Sequence, residues 1–173
     1  MSKPKKEIHE SLIIRKPDLN DGESIYFLVT KSPPLEINSV YSYLLVCSHF
    51  DQTSVVCELE DDIVGFTSGY IHPNQDDTLF IWQIAVSDHM RVKGIARKML
   101  LDILGRRELG DVKYLETTVT SDNDSSKSLF NSLARQLDAP VTEESYFSEK
   151  VFQKTGHPEE FIIRIGPFDY KTD

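Results

Sequence analysis

The stretch DTLFIWQIAVSDHMRVKGIARKML, Asp77 to Leu100, runs an apolar segment straight into a basic one. Seven of the eight residues from Leu79 to Val86 are apolar, which predicts a strand buried on both faces at the centre of a sheet. From Arg91 onward, Arg91, Lys93, Arg97 and Lys98 place four bases and no acid in eight positions, in a chain of net charge -9. Residues from Gly94 to about Leu104 are helical by period, with Ile95, Met99, Leu100 and Ile103 inward and Gly105 as the stop. A strand leading into a glycine-bearing loop and a first helical turn presents unpaired backbone N–H groups at the positive end of the helix dipole. Gly94 and the small Ala96 would let a diphosphate approach the backbone, so the expected anion is a pyrophosphate. The alternative is a solvated helix start that happens to be basic, and the Walker pattern, which needs Gly-Lys-Ser or Gly-Lys-Thr, is not present here.

Outward from this stretch, LIIRK predicts a first strand. DLNDGESIYFLVT predicts a short helix with Ile25, Leu28 and Val29 inward, and Pro33 and Pro34 end it. Asn38 or Ser39 can cap a second helix in which Val40, Tyr43, Leu44 and Cys47 share a face. Residues 53–86 read as an antiparallel meander of three strands, divided by the acidic turn Glu60 to Asp62 and by the Pro, Asn and Asp cluster from His72 to Asp77. YLETTV is the next strand, followed by a helix capped by Ser121 or Asp122 with Leu129, Leu133 and Leu137 on one stripe. Ala139 to Glu159 reads as mostly irregular, and FIIRIGPF closes as a late strand. The order predicts one mixed α/β domain over 11–173, after a flexible tail over 1–10.

Composition narrows the function. With 173 residues, 39% of them hydrophobic and 27% charged, the chain suits one core. The acidic balance argues against nucleic acid as the main partner and fits a cationic small substrate better. No run approaches a membrane span, so no membrane partner is expected and the location expected is cytoplasmic. Cys47 and Cys57 lie in apolar surroundings without metal-type spacing, as core thiols would, and no metal is expected.

Arg-x-x-Gly-x-Ala after a central apolar strand ending in Ala-Val, in this element order, resembles the acetyl-CoA loop of the GNAT acetyltransferases. Further segments, PPLEINSVYSYLLVCSHF, TSVVCE, SGY, DTLFIWQIAV, LETTVTSDNDSS, SLFNSLAR and GHPEE, resemble the diaminobutyrate acetyltransferases of ectoine biosynthesis over Pro33 to Glu160. Three positions depart from that pattern: Glu36 stands in place of Asp, Cys57 in place of Ala and Ser121 in place of Pro. The resemblance implies the GNAT fold, a mixed, mostly antiparallel central sheet flanked by helices in a single domain, and a homodimer. It implies transfer of acetyl from acetyl-CoA to the 4-amino group of L-2,4-diaminobutyrate. The amides of Val92, Lys93, Gly94, Ile95, Ala96 and Arg97, with Arg91, would then hold the pyrophosphate. Backbone groups of Ile84, Ala85 and Val86 would meet the pantetheine arm and acetyl carbonyl, with Asn123 and Ser126 at the start of the next helix.

An alkyl ammonium has a pKa of about 10, so the attacking amine must lose a proton, and amides at a strand bulge would stabilise the oxyanion. Glu116, beside Thr117 and Thr118, is the first candidate base, with a structural carboxylate as its alternative. Many GNAT enzymes place a Tyr acid where this chain has Phe130, so no general acid is assigned. The acceptor needs fixed acids for its ammonium groups and donors for its carboxylate. Glu36 and one of Glu159 and Glu160 are the candidates, with Asn38, Thr118 and His157 beside them and Trp82 and Tyr41 as walls; Tyr43 is expected to pack in the core. His49 and His72 are given no role. Two rival readings remain open: a GNAT enzyme for another amine, such as ornithine or a polyamine, and a non-catalytic CoA-binding module.

Overall fold

The computed structural model describes residues 12–91 and 93–170; the tail expected over 1–10 and Val92 lie outside them. Strands β1 (Leu12–Arg15), β2 (Val55–Leu59), β3 (Asp62–His72), β4 (Gln75–Val86), β5 (Tyr114–Thr120), β6 (Val141–Phe147) and β7 (Glu160–Ile165) form one sheet. Its order is β1-β2-β3-β4-β5-β7-β6. Only β4 and β5 run parallel; the other neighbours are antiparallel, including the meander β2-β3-β4 read from the sequence.

Helices cover both faces. On one face α3 (Ile95–Leu104) and α4 (Asp124–Gln136) bury Met99, Leu100, Ile103 and Leu133 against Val55, Cys57, Leu79, Ile81, Leu115 and Ile163. On the other, α1 (Gly22–Thr30) and α2 (Val40–His49) bury Ile25, Val29, Tyr43 and Cys47 against Val56, Phe66 and Ala85. Val55 and Cys57 facing one helix layer and Val56 the other is the alternation that a two-period strand imposes. Both cysteines are free and buried, and burial pushes their thiols up, that of Cys47 to about 12, which fits the reading of core thiols.

Arg106, just past α3, anchors that helix to the rest of the molecule. Its guanidinium donates to the carbonyls of Asp51, Gln52 and Ser54 and to the Asp102 carboxylate at 2.8 to 3.2 Å. Arg15 does the same at the sheet edge, donating to both Asp21 and Glu58.

Three sequence expectations need correction. The helix after β5 is capped by Asn123, whose side chain accepts from the Ser126 amide at 3.1 Å, and not by Ser121 or Asp122. The segment from Ala139 to Glu159 is not mostly irregular: β6 pairs with β7 from Val141 to Phe147, and a short 3-10 turn follows at Glu149–Phe152. Every residue of β6 is exposed, so this edge strand carries no apolar alternation for a sequence reading to detect. Finally, β4 is not buried on both faces throughout, because Trp82 is 56% exposed.

The cause at Trp82 is a bulge. Gly69 pairs with Ile81 and Ser68 with Gln83, so Trp82 is an extra residue in β4. Below it Leu79 and Ile81 face α3 and α4; above it Ala85 faces α1 and α2. The bulge needs Gly69, since a Cβ there would stand 2.7 Å from the Phe80 carbonyl oxygen and 3.1 Å from that of Thr53, both backbone atoms. Gly69→Ala is therefore expected to lower stability by about 1–3 kcal/mol through forced backbone movement. Urea unfolding should show a lower midpoint at unchanged slope, and an unchanged midpoint would contradict this account.

Candidate active site

β4 and β5 pair from Thr78–Tyr114 to Ile81–Thr117, and there the parallel ladder ends. The Thr117 hydroxyl donates to the Ile81 carbonyl at 3.0 Å on this last rung, while β5 continues pairing with β7 as far as Thr120. Above the rung the two strands part, and a cleft of about 680 Å³ opens beside Ile84, Ala85 and Val86. Its walls come from Met90, Arg91 and Gly94 to Arg97 on one side and from Asn123, Ser126 and Leu129 of α4 on another. Ser32, Pro33, Pro34 and Leu35, ahead of α2, close it.

At the mouth, Gly94 takes φ +72°, a left-handed conformation that glycine adopts without strain, and α3 starts immediately after it. No side chain caps this helix, and its first backbone bond runs from Lys98 N–H to the Gly94 carbonyl. The N–H groups of Ile95, Ala96 and Arg97 thus have no acceptor within the helix, at the positive end of its dipole, on the wall of the cleft. Arg91 folds back to the Val86 carbonyl at 3.3 Å and to Asp88 at 3.1 Å, and still lines the cleft. Lys93 does not: its ammonium lies 3.6 Å from the Met90 sulfur. Asn123 uses its oxygen as the α4 cap, which leaves its amide N–H₂ to donate.

A second cluster begins where the cleft ends. Glu36 follows Leu35, and its carboxylate stands 3.9 Å from His157 Nε2; Glu160 stands 3.6 Å from the same nitrogen. His157 Nδ1 donates to the Pro158 carbonyl at 2.8 Å and its ring packs on Phe152, centroids 4.5 Å apart, so Nε2 is turned toward the two acids. Burial pushes the Glu160 carboxyl up, aided by Glu36 and opposed by His157 and by a hydrogen bond from Thr118. Glu36, Thr118, His157 and Glu160, singled out separately in the sequence, therefore meet. Glu159 does not join them; it accepts from the Ser145 hydroxyl on β6.

Glu116 lies on the same face of β5 as Thr118, buried at 5% exposure and ion-paired with Arg164, whose guanidinium sits 4.0 Å from the Tyr114 ring centroid. Its rung partner is Phe80, below the bulge. Trp82 and Tyr41 are open to solvent, at 56% and 68% exposure, while Tyr43 is in the core at 2%. Phe130 is also a core residue at 2%. His72 accepts from the Asn74 amide in a turn, and His49 ends α2. Among the described residues no three His, Cys, Asp or Glu side chains could hold a metal ion, and no helix is long and apolar enough to cross a membrane.

Sequence reasoning missed Gln83, Arg164 and the cleft lining by Ser32 to Leu35. The two prolines read only as helix breakers, and a single Gln inside an apolar strand gave no sign that a bulge would turn it.

The acetyltransferase (GNAT) family matches residues 19–134. The L-2,4-diaminobutyric acid acetyltransferase of Virgibacillus pantothenticus is 44% identical over 151 residues, 87% of this chain and 95% of the relative. That of Chromohalobacter salexigens is 45% identical over 161 residues, 92% of this chain and 83% of the relative. Among solved structures, the diaminobutyrate acetyltransferase of Paenibacillus lautus, in complex with L-2,4-diaminobutyric acid and coenzyme A, is similar with a TM-score of 0.88 and 33% identity, covering 95% of this chain and 99% of the other.

The raised carboxyl of Glu160 predicts a pH-dependent effect on stability. A carboxyl that holds its proton more tightly when folded than when unfolded costs the folded state stability wherever it is ionised. The cost is present above the folded pKa and vanishes below the unfolded carboxylate range of about 4.3. Glu160→Gln should accordingly melt higher than the parent chain at neutral pH, with the difference closing as pH falls toward about 4. Thermal melts across pH that show no gain at neutral pH would contradict this.

Proposed function

This chain belongs to the GNAT acetyltransferases and, within them, to the L-2,4-diaminobutyric acid acetyltransferases; from that membership and the site geometry we propose that it moves the acetyl group of acetyl-CoA to the 4-amino group of L-2,4-diaminobutyrate. The product, N4-acetyl-diaminobutyrate, is the linear precursor of ectoine. The observation that carries the reading is the meeting, at Leu35–Glu36 and Gln83–Ile84, of an anion-binding cleft with a cluster of two carboxylates and an imidazole.

The pyrophosphate of acetyl-CoA rests on the amides of Gly94 to Arg97, with Arg91 and Arg97 adding charge. The pantetheine arm lies along Ile84 to Val86, in the gap left by β5, and Asn123 donates to it from the opposite wall, beside Ser126. An extended amide chain suits this gap because it offers donors and acceptors to strand groups that have lost their neighbour. The bulge at Trp82 turns backbone N–H groups toward the thioester carbonyl, where they stabilise the oxyanion as it forms.

At the other end, Glu36 and Glu160 hold the cationic acceptor, with His157, Asn38 and Thr118 as polar neighbours and Trp82 and Tyr41 as exposed aromatic walls. The 4-ammonium gives its proton to a carboxylate of this face, Glu116 or Glu160, and the free amine attacks the thioester carbon. The C–N bond forms, the C–S bond breaks, and the nitrogen, now positively charged, releases its second proton to solvent to give the neutral amide. CoA leaves as a thiolate that takes its proton from solvent, since Phe130 has none to give. Holding amine and thioester together supplies up to about 7–11 kcal/mol of the barrier reduction. The reaction runs in the cytoplasm, where Cys47 and Cys57 stay reduced. The active form is a homodimer; the exposed edge strand β6, with Val141, Tyr146 and Phe147 at 40%, 48% and 41% exposure, supports this because a bare strand edge is ordinarily covered.

CoA release from acetyl-CoA should be selective for L-2,4-diaminobutyrate over ornithine and spermidine, with NMR placing the acetyl group on the 4-nitrogen. Preference for another amine would overturn the acceptor assignment, and acetyl-CoA binding without turnover would favour a non-catalytic module. Glu36→Ala should raise KM for diaminobutyrate about ten-fold or more and spare acetyl-CoA, as loss of a charge-assisted hydrogen bond does. Gly94→Asp, which puts a negative charge at the pyrophosphate, should do the reverse.

A further inference from the structure

Gln83 is nearly buried, at 8% exposure, in the middle of the strand that divides the two halves of the site. In an unbroken strand residue 83 would face the same way as Ile81, into the α3–α4 core. The extra residue at Trp82 reverses it, and Gln83 points toward α2. There its Oε1 accepts from the Tyr43 hydroxyl at 3.1 Å and its Nε2 donates to the Glu36 carbonyl at 2.8 Å.

The orientation of this carboxamide is fixed by its partners. A backbone carbonyl can only accept, so the N–H₂ must face Glu36, and the oxygen then takes the Tyr43 proton. The Tyr43 oxygen in turn accepts from the Asn38 N–H at 3.4 Å. Two backbone groups of the segment ahead of α2, the Glu36 carbonyl and the Asn38 amide, are thereby tied to one side chain of β4. The segment has few other anchors: the Glu36 side chain is 85% exposed, and Ile37 is 56% exposed.

From this we infer that Gln83, with Tyr43 behind it, is the positioning residue that sets how far the Glu36 carboxylate stands from the thioester, and so selects the length of the diamino acid. The inference rests on the reading of Glu36 as an acceptor-binding group. Gln83 touches neither substrate. It acts through the Glu36–Asn38 backbone, holding the acid at a distance that fits the three carbons, C2 to C4, between the anchored 2-ammonium and the reacting 4-nitrogen. Ornithine, one methylene longer, overshoots.

The test compares Gln83→Met, Glu36→Ala and the double variant by kcat and KM for diaminobutyrate and ornithine, with acetyl-CoA affinity measured alongside. Methionine fills the same space but offers nothing to Glu36 or Tyr43. The result expected of Gln83→Met is a roughly ten-fold fall in kcat/KM for diaminobutyrate, as loss of a buried hydrogen bond predicts. With it go a several-fold loss of preference over ornithine and an acetyl-CoA affinity within about two-fold of the parent. In the Glu36→Ala background the same change should cost little more, the non-additivity of residues that act as one unit. Tyr43→Phe, which leaves β4 untouched, should reproduce part of the loss of selectivity and guards against a folding defect in Gln83→Met. An unchanged diaminobutyrate-to-ornithine ratio in Gln83→Met and Tyr43→Phe, with Glu36→Ala impaired, would overturn the positioning role. So would a loss of acetyl-CoA binding equal to the loss of acceptor binding. If Glu36→Ala itself leaves KM for diaminobutyrate unchanged, the acceptor reading of Glu36 is what has failed, and the inference falls with it.

Discussion

Everything in this site depends on the end of the β4–β5 ladder at Ile81–Thr117. Two parallel strands that stop pairing inside a sheet leave polar backbone groups that must find another partner. The fold prepares that gap on every side: the bulge at Trp82 re-aims the strand, and Thr117 seals the last rung. The N-termini of α3 and α4 both open onto the same cleft through Gly94 and Asn123. Arg106 holds the far end of α3 to the carbonyls of the turn after α2, which fixes the C-terminal end of the helix whose first turn lines the cleft.

Much of this could be read from the sequence because strong periodicity and turn chemistry reflect burial directly. The run from Leu79 to Val86 and the stripe of α3 are core segments, and their residues carry the pattern of that burial. The candidate acceptor residues Glu36, Thr118, His157 and Glu160 came from segment resemblance, and only the fold shows them to be neighbours. What escaped has a physical reason in each case. β6 is exposed along its whole length and so leaves no apolar trace. A strand bulge is expected but not its position, which is a register event between two strands, visible only when both are aligned. The choice between Glu159 and Glu160 turns on one step of strand alternation, which no composition records.

Charge is divided between the two ends of the site as the chemistry requires. An acidic chain gathers its bases Arg91, Lys93, Arg97 and Lys98 at the loop before α3 and its first turn, and sets Glu36 and Glu160 around His157 at the other end of the site. Of these acids Glu160 comes at a cost to the fold, since burial disfavours its ionised form.

The segment from Ser32 to Glu36 belongs to both ends: its first four residues line the cleft, and the fifth carries the acid of the second cluster. A molecule lying against Ser32 to Leu35 would therefore touch the same short backbone that presents Glu36. Five residues of connecting chain thus make the two ends of the site one continuous surface rather than two separate pockets.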